Sequence, residues 1–372
     1  MSGAERCLLT LLAAMHRRGS HLGLICPGEG ELGPRAAALG VEVFHAPIPP
    51  CRRGTSRRDF LRYRSQAARA SLVILNIIKT WGADLVHCNS VTATEFGVLA
   101  GYAFGIGLVA HFRDAGLGQF TAAVIRHAPR STRFVCVSNF VRTTMIARGV
   151  LPDKGTTVLY DGFDLAEAAW GERDRSAVRT ELGIRPDQIL VGIVGRVEYW
   201  KGHLDFVQAA AIVDDPKIRW VVVGDNRLCS DITYYDRVMN VAHSLSLDRR
   251  LQFTGYRDDV NRIMGALDIL VVPSENEPLG RVAVEAMAAG KPVVAADSGG
   301  LPEIVISSVT GELFPLHQPD KLAACVCRLA KCPDLRSQYG TAGRERVARL
   351  FGIDLQLQHL DDVYNGLLLA TR

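Results

Sequence analysis

Short runs of β-branched residues alternate with helical patterns along nearly the whole chain, and this alternation restricts the fold more than any other feature. The front half has six runs with the pattern of strands: HLGLIC, VEVFHA, DLVHC, GLVAH, RFVCVS and TTVLY. The rear half has five: ILVGIVG, RWVVVG, LQFTG, DILVVP and KPVVAA. Strands that alternate with helices form parallel sheets covered by helices. The sequence therefore predicts an α/β protein.

The chain of 372 residues is long enough for two domains. Between the two sets of strands lies a polar, strand-free segment, DGFDLAEAAWGERDRSA. We place the boundary near Asp164, which gives an N-terminal domain of residues 1–164 and a C-terminal domain of residues 165–352. The last helix, residues 353–372, is long and amphipathic, and we expect it to pack back across both domains.

The charge is distributed unevenly along the chain. Residues 1–165 contain 19 basic and 11 acidic residues, a net charge of +8, whereas the remainder has a net charge of −4. The front half is therefore the part expected to meet an anionic partner. Nine cysteines occur without a CxxC pair, which predicts reduced thiols and no zinc site.

No segment has the pattern of a membrane span. The opening run LLTLLAAM lies between Glu5 and Arg17, and it has no small-residue cleavage site after it, so it predicts an amphipathic helix rather than a signal peptide. The longest uncharged stretch, from Phe96 to Ala110, is too short and too rich in glycine to cross a bilayer. These features predict a cytoplasmic protein.

Two glutamates stand out in the stretch ENEPLGRVAVEAMAAGKPVVA. Glu277 precedes Pro278 in a loop, and Glu285 lies two turns inside an apolar helix that ends before Gly290. Glu285 could simply pair with Arg281, one turn earlier on the helix. Alternatively, both carboxylates face one cavity near the start of the helix, where free backbone N–H groups favour anions.

The stretch GRVEYWKGH follows the first strand of the rear domain. Gly195 permits close approach of a ligand to the backbone, and Arg196 and Lys201 bracket a loop that could hold a diphosphate. The alternative is a solvated basic loop. The stretch has neither the GxxxxGK[ST] pattern of a Walker A loop nor a GxGxxG fingerprint.

Taken together, these motifs resemble the retaining glycosyltransferases of family 4. The resemblance rests on Gly195-Arg196, Lys201-Gly202, the E-x7-E pair and SGGLPE, in that order within one domain. It extends forward to VLYDGFD, VCVSNFVR, VAHFRD and the initial SGAER, so that almost the whole chain is covered.

The resemblance implies a GT-B fold, in which two Rossmann-like doubly wound domains face each other across a cleft. It implies that the rear domain holds a nucleotide-sugar donor and the front domain an acceptor. In such enzymes the equivalents of Arg196 and Lys201 hold the donor diphosphate, and neither a divalent metal nor another cofactor is required. By the same resemblance, Glu285 accepts from the ribose hydroxyls and Glu277 contacts the donor sugar.

Further residues take roles by resemblance alone. Backbone at Leu279 and Gly280 meets the phosphate or sugar, and the loop with Tyr256 and Arg257 brackets the base. His111 lies close to the transferred sugar, although a lone histidine of this kind is as often a core residue. His87 has weaker support. Retention in the family is usually explained by front-side attack assisted by the departing phosphate, without a dedicated nucleophile.

The chain departs from the family pattern in two places. The family commonly has E-G-F-G where this chain has EPLG at Glu277, and Arg281 occupies a position that is often apolar, which could alter donor choice. Relatives also have a hydrophobic strand before the glycine-rich loop, and the printed sequence starts at that loop. The front sheet is therefore expected to lack its first, central strand, leaving Gly3 as the loop glycine that approaches the diphosphate.

A basic stretch, CRRGTSRRDFLRYRSQAARA, carries seven arginines and one acid. It is either a solvated face or a patch that attaches to anionic lipid headgroups or to the acceptor. The arginines assigned to this patch are Arg57, Arg58, Arg62 and Arg64. Nucleic acid is a poorer candidate partner, because no recognised nucleic-acid-binding fold accompanies the patch.

The function predicted from these motifs is metal-independent, retaining transfer of a hexose-type sugar from a nucleotide diphosphate donor. The expected acceptor is a cell-envelope glycan or a lipid-linked molecule, and the expected location is the cytoplasm, at the inner face of the membrane. Two alternatives stay open: a catalytically idle GT-B scaffold or binding subunit, and a sugar-nucleotide epimerase.

Overall fold

The computed structural model describes residues 3–49, 57–168, 172–227, 229 and 231–371. Internal contacts divide the chain into two units. Unit 1 comprises Met1–Gly162 and Ile353–Arg372, and unit 2 comprises Phe163–Gly352. The first part of the basic stretch, residues 50–56, and the side chain of Arg57 lie outside the described part.

Unit 1 alternates helices and strands, and its last helix comes from the C-terminal end of the chain. Its elements are α1 (Gly3–Arg17), β1 (Gly23–Cys26), α2 (Leu32–Ala38), β2 (Glu42–His45), α3 (Arg57–Trp81), β3 (Leu85–Cys88), α4 (Val91–Phe104), β4 (Gly107–Phe112), α5 (Gln119–Arg126), β5 (Thr132–Cys136), α6 (Asn139–Ala147), β6 (Thr156–Val158) and α15 (Ile353–Thr371).

Unit 2 continues the same alternation. Its elements are α7 (Glu172–Glu181), β7 (Ile189–Val194), α8 (His203–Ile212), β8 (Ile218–Val223), α9 (Thr233–Ser244), β9 (Leu251–Gly255), α10 (Val260–Ala266), β10 (Ile269–Val272), α11 (Arg281–Ala288), β11 (Val293–Ala296), α12 (Leu301–Ile304), β12 (Gly311–Phe314), α13 (Pro319–Lys331) and α14 (Pro333–Leu350). Two short 3₁₀ turns, Leu165–Ala168 and Tyr199–Lys201, complete it.

The sheet of unit 2 has six parallel strands in the order β12-β11-β10-β7-β8-β9. This is the order of a doubly wound sheet, whose ligands bind where the strand order reverses, here between β7 and β10. All five rear strands predicted from sequence are confirmed. The prediction missed β12, because its sequence GELF has no β-branched run and carries Glu312, whose carboxylate is buried against Arg328 and Tyr339.

A buried carboxylate joins α7 to this sheet. Asp268, just before β10, accepts hydrogen bonds from Arg175 at 2.5 Å, from Arg179 at 2.8 Å and from the amide of Leu190 at 2.7 Å. Burial pushes the pKa of Asp268 upward, but Arg175, the Leu190 amide and Arg179 outweigh burial, and the net pKa lies below its ordinary value. The carboxylate thus stays charged in the folded protein.

The strands of unit 1 form two separate parallel sheets, β1-β2 and β3-β4-β5-β6. All six front strands predicted from sequence are confirmed, and among the described residues no strand lies between β1 and β3. The four residues of β1 and the four of β3 line one apolar cavity of about 680 Å³, together with α1, α3, α4 and α15. We call this cavity the strand slot, because β1 and β3 each present to it an edge that is unpaired among the described residues.

The C-terminal helix α15, expected to pack across both domains, belongs to unit 1. It packs on α1 and on one face of β3, β4 and β5. Its apolar residues Leu357, Leu360 and Leu367 are buried in a cluster with Val109 of β4 and Val135 of β5. The sequence pattern gave the helix its apolar face, and the sheet of unit 1 covers that face.

Within the described residues, no helix is both long enough and apolar enough to cross a bilayer. The described cysteines are all free thiols.

Candidate functional site

The loop after β7 is folded against the loop after β10. Gly202 follows the 3₁₀ turn with a φ of +73°, and a Cβ atom there would lie 2.1 Å from the carbonyl oxygen of Pro273. Only glycine permits this approach. The amide of Glu275 donates to the carbonyl of Trp200 at 2.7 Å. These contacts bring the two loops together at the switch point of the sheet.

Lys201 and Glu277 meet where these loops touch. The Lys201 Nζ atom lies 2.6 Å from Glu277 Oε2, and the two side chains are 16% and 10% exposed. The same ammonium lies 4.1 Å from the centre of the Trp200 ring, within the range of a cation–π interaction. A cation and a carboxylate are therefore held together, largely shielded from solvent, at the edge where doubly wound sheets bind ligands.

The motif SGGLPE fixes the loop that carries Glu277. The amide of Gly300 donates to the carbonyl of Glu277 at 2.7 Å, and the hydroxyl of Ser298 accepts from the amide of Asn276 at 2.9 Å. Gly299 has a φ of +63°, and a Cβ atom on it would lie 2.4 Å from the Glu277 carbonyl oxygen. The motif thus acts on the site by positioning the Glu277 backbone.

The other carboxylates of this edge are also paired with cations. Glu285 is buried in the second turn of α11 and accepts a hydrogen bond from Arg281 at 2.7 Å, which is the simple pairing that the sequence left open. Arg196 lies 3.0 Å from Glu198, whose second oxygen accepts from the indole of Trp200 at 2.7 Å. Glu198 and Trp200, which the sequence argument did not single out, therefore orient both cations of the loop.

The remaining predicted residues of unit 2 flank this edge. Leu279 is buried, and Gly280, the N-cap residue just before α11, has a φ of +99°. Tyr256 follows β9 with an exposed ring, over which Arg227 lies at 4.6 Å. Arg257 forms ion pairs with Asp259 and Glu181, and both of these partners also belong to unit 2.

In unit 1, two histidines meet on one face of the four-stranded sheet. The register pairs His87 of β3 with Val109 of β4, and His111 lies two residues after Val109 on the same face. The His87 Nε2 and His111 Nδ1 atoms are 3.3 Å apart. The Tyr364 hydroxyl of α15 lies 2.6 Å from His87 Nδ1. Burial, followed by the charge of Arg113, lowers the pKa of His87 to about 3 and that of His111 well below its ordinary value.

Polar residues that the sequence argument did not single out lie at the carboxyl ends of the same strands. Arg113, after β4, donates to Asn89 at 2.9 Å and forms a buried ion pair with Asp161, after β6. Arg113 and Asp161 belong to VAHFRD and VLYDGFD, which served only as signs of resemblance. Their position after parallel strands was the signal that could have identified them.

The other predicted residues of unit 1 are dispersed. Gly3 begins α1. Arg58 and Arg62 have exposed side chains on α3. Arg64 instead stacks on Phe120 at 3.9 Å and lies 4.0 Å from the buried carboxylate of Glu95. Arg64 thus takes part in the packing of unit 1, unlike its two neighbours.

The comparisons with known proteins agree with this architecture. HepE of Anabaena, in complex with UDP and glucose, aligns over 98% of this chain and 96% of its own with a TM-score of 0.85 and 25% identity. Sucrose-phosphate synthase of Thermosynechococcus elongatus aligns over 97% and 92% with a TM-score of 0.81, and at 23% identity it shows the fold alone. The fold is that of the GT-B glycosyltransferases.

The family follows from sequence. Residues 1–167 match the model of Glycosyltransferase Family 4, and residues 174–346 match that of Glycosyl transferases group 1. The D-inositol 3-phosphate glycosyltransferase of Saccharomonospora viridis is 31% identical over 78% of this chain and 67% of its own length. That of Mycolicibacterium gilvum is 39% identical over 45% of this chain and 37% of its own length. The chain belongs to the family 4, group 1 glycosyltransferases.

Proposed function

We propose that this protein transfers a sugar from a nucleotide diphosphate sugar bound by unit 2 to an acceptor hydroxyl. The observation that carries the proposal is the contact between Lys201 and Glu277 at the switch point of the unit 2 sheet. In the reaction the bond between the anomeric carbon and the diphosphate breaks, and a bond to the acceptor oxygen forms. The acceptor proton leaves with the departing diphosphate.

The charges of the site suit such a donor. Arg196 and Lys201 offer two cations to the diphosphate, and the first amides of α11 offer further donors. In this structure both cations are paired with carboxylates, Arg196 with Glu198 and Lys201 with Glu277. A bound diphosphate competes for the cations, which frees Glu277 to accept hydrogen bonds from sugar hydroxyls. Glu285, which pairs with Arg281 one helix turn earlier, is proposed to accept from the ribose hydroxyls.

We propose further that the transfer retains the anomeric configuration and needs neither a metal ion nor another cofactor. The two cations supply the stabilisation of the leaving diphosphate that a divalent metal provides elsewhere. The expected product has the anomeric configuration of the donor sugar, and proton NMR of the product reads this directly. Turnover in excess EDTA should equal turnover without it; loss with EDTA and recovery with magnesium would refute metal independence.

We propose the acceptor class from the charge of the front half of the chain and from the relatives. Two relatives are D-inositol 3-phosphate glycosyltransferases, whose name specifies a phosphorylated polyol acceptor. Residues 1–165 carry a net charge of +8, and Arg58 and Arg62 are exposed on α3. We propose an anionic acceptor, a cell-envelope glycan or a lipid-linked molecule presented at the inner surface of the membrane, to a cytoplasmic enzyme.

The test is a panel of UDP-, GDP- and ADP-sugars with the purified full chain, scored for release of the nucleoside diphosphate and for thermal stabilisation. One donor should be consumed and should raise the melting temperature. Lys201→Met should weaken binding of the bare nucleoside diphosphate, measured by calorimetry. Lys217→Met, an exposed lysine elsewhere in unit 2, is the matched control.

The same panel separates the alternatives. An idle scaffold neither consumes nor is stabilised by any donor. An epimerase converts one nucleotide sugar into another without net release of diphosphate. Equal diphosphate affinity in the wild type and in Lys201→Met would remove this loop from the site.

A further inference from the structure

The loop after β7 contains an anion next to a cation that is proposed to bind the diphosphate. One carboxylate oxygen of Glu198 accepts a hydrogen bond from Nη1 of Arg196 at 3.0 Å, and the other accepts one from the indole of Trp200 at 2.7 Å. The Glu198 side chain is 14% exposed, whereas that of Arg196 is 46% exposed. The cation is therefore open to a ligand from solvent, while its carboxylate partner is largely enclosed.

A third contact joins Glu198 to the neighbouring strand of the sheet. The thiol of Cys229, in the loop after β8, donates a hydrogen bond to the Glu198 carboxylate. Burial, followed by the charge of Glu198, raises the pKa of the Cys229 thiol to about 11, so the thiol keeps its hydrogen at neutral pH. Groups from the loops after two adjacent strands thus hold Glu198 in place, and the loss of Arg196 as a partner would leave two of its three contacts intact.

A fixed carboxylate in this position opposes the binding of a second anion. Arg196 has to divide its N–H groups between Glu198 and any bound phosphate. The two anions also repel each other, because both lie close to the same guanidinium. The attraction between Arg196 and a diphosphate is therefore reduced by an anion that belongs to the protein itself.

We propose that Glu198 is a positioning residue that takes back Arg196 as the diphosphate leaves, lowers the affinity of unit 2 for the nucleoside diphosphate product and so speeds its release. This inference rests on the proposed function for the identity of the product, whereas competition for Arg196 is a property that any diphosphate reveals. Product release limits turnover in many enzymes. A site whose cation had no partner of its own would hold the product longer.

Calorimetry with inorganic pyrophosphate, and with the nucleoside diphosphate of the active donor, tests the competition. Glu198→Gln keeps the volume of the side chain and an oxygen that can accept from Trp200, but it removes the charge. We expect this variant to bind both probes roughly 3- to 10-fold more tightly than the wild type, the size of effect of one partly screened charge. Weaker or equal binding would overturn the proposal and would show that Glu198 only orients Arg196 for the ligand.

Glu198→Met is a second variant that removes the charge at a similar volume. It should also bind pyrophosphate more tightly than the wild type, so the proposal can be tested even where the glutamine variant does not fold. Melting temperatures of both variants identify the folded protein. Weaker or equal binding of pyrophosphate by the folded methionine variant would overturn the proposal in the same way.

A matched control lies at the opposite end of β7. Asp187 pairs with Arg185 at 3.1 Å, with the same two-residue spacing, ahead of the first residue of β7. Asp187→Asn removes the same charge from unit 2, and it should leave the affinity for both probes unchanged. If it tightens binding as much as Glu198→Gln does, the effect is one of net charge, and the proposal is wrong.

A double variant tests whether Glu198 acts through Arg196. In a protein that already carries Arg196→Met, the further change Glu198→Gln should tighten binding of pyrophosphate by less than about twofold, because the cation for which the two anions compete is absent. The same 3- to 10-fold effect with and without Arg196, roughly as large as for independent sites, would overturn the competition.

Stopped-flow fluorescence measures the release step itself, since Trp200 lies in the loop that holds the diphosphate. The rate constant for dissociation of the nucleoside diphosphate should fall roughly 3- to 10-fold in Glu198→Gln, and its inhibition constant as a product should fall in parallel. A dissociation rate equal to that of the wild type would overturn the role in release. If the wild type consumes no donor, the proposed function fails, and the pyrophosphate titrations still decide whether Glu198 opposes anion binding.

Discussion

The two units repeat one architecture, yet they place different chemistry at the carboxyl ends of their strands. Unit 2 has one continuous sheet, and its edge holds charged pairs such as Lys201 with Glu277, whose side chains are only 16% and 10% exposed. Unit 1 has a sheet in two parts, and its edge holds neutral, buried histidines beside the Arg113–Asp161 pair. The same fold can therefore carry a site for a strongly anionic ligand or a site of oriented neutral hydrogen bonds.

The difference has a physical basis in pairing. In a largely buried ion pair such as Lys201 with Glu277, each charge has an opposite charge as its partner. Histidines enclosed by α15 and the sheet lose their charge, because burial lowers their pKa values. A neutral histidine still donates a hydrogen bond from one ring nitrogen and accepts one at the other. Its tautomer determines which nitrogen donates, and neighbouring groups select the tautomer.

The largest expected effect concerns the charged edge of unit 2. Glu277→Ala should lower turnover roughly 10²- to 10³-fold, as loss of one preorganised polar contact at a reacting centre does. Steady-state kinetics measure the change. Glu345→Ala, an exposed glutamate on α14, should be near wild type. Similar turnover in the two variants would show that Glu277 does not contribute to the reaction. The proposed difference between the sheet edges of unit 1 and unit 2 would then be wrong.

The next effect concerns the cohesion of unit 2. Asp268→Asn should reduce the free energy of unfolding by about 3 kcal/mol, because it leaves Arg175 and Arg179 without their carboxylate in a buried position. Urea denaturation of the two proteins at pH 7 measures this.

Acid sharpens the same prediction. The pKa of Asp268 is depressed in the folded state, so its contribution is fully present above the unfolded pKa of about 3.9 and is lost as pH falls through the folded value. The stability difference between wild type and Asp268→Asn should therefore shrink below about pH 4. A constant difference between pH 7 and pH 3 would contradict this assignment.

A smaller effect is expected from filling the strand slot of unit 1. A right-handed crossover requires a strand that leads into α1 to run parallel to β1. Fusing an apolar strand of about five residues and a short turn ahead of α1 should raise the free energy of unfolding by about 2–3 kcal/mol. This is roughly the gain from burying one or two further aliphatic side chains. Thermal and urea unfolding compare it with a Gly/Ser extension of equal length. Equal stability of the two fusions would show that the slot does not accept a strand.

The smallest effect concerns the outer surface of unit 1. Replacing Arg58 and Arg62 with glutamine should weaken binding to vesicles of anionic lipid by about 2 kcal/mol, near 1 kcal/mol for each arginine. Arg126 and Arg130, also exposed in unit 1, provide a control pair with the same change of charge. Arg64 stays unchanged in both, because it packs on Phe120. Co-sedimentation with neutral and anionic vesicles measures the binding, and equal losses in both pairs would indicate a general effect of net charge.

The local sequence pattern was sufficient to predict most strands of both units. Buried parallel strands are nearly continuous runs of valine, isoleucine and leucine, so eleven of the twelve observed strands could be predicted from sequence. The exception, β12, is a four-residue edge strand with a charged residue inside it. The order of the motifs also placed Lys201 and Glu277 after strands of one sheet.

The sequence by itself determined the α/β class, the strand order along the chain and the family to which the chain belongs. Periodicity and glycine positions are local properties, and they act over a few residues. Tertiary structure alone decided that Lys201 contacts Glu277, that His87 lies beside His111, and that Tyr364 reaches them from the far end of the chain. Such contacts depend on strand register and on which surface covers each helix, and these are set by packing between segments that are distant in sequence.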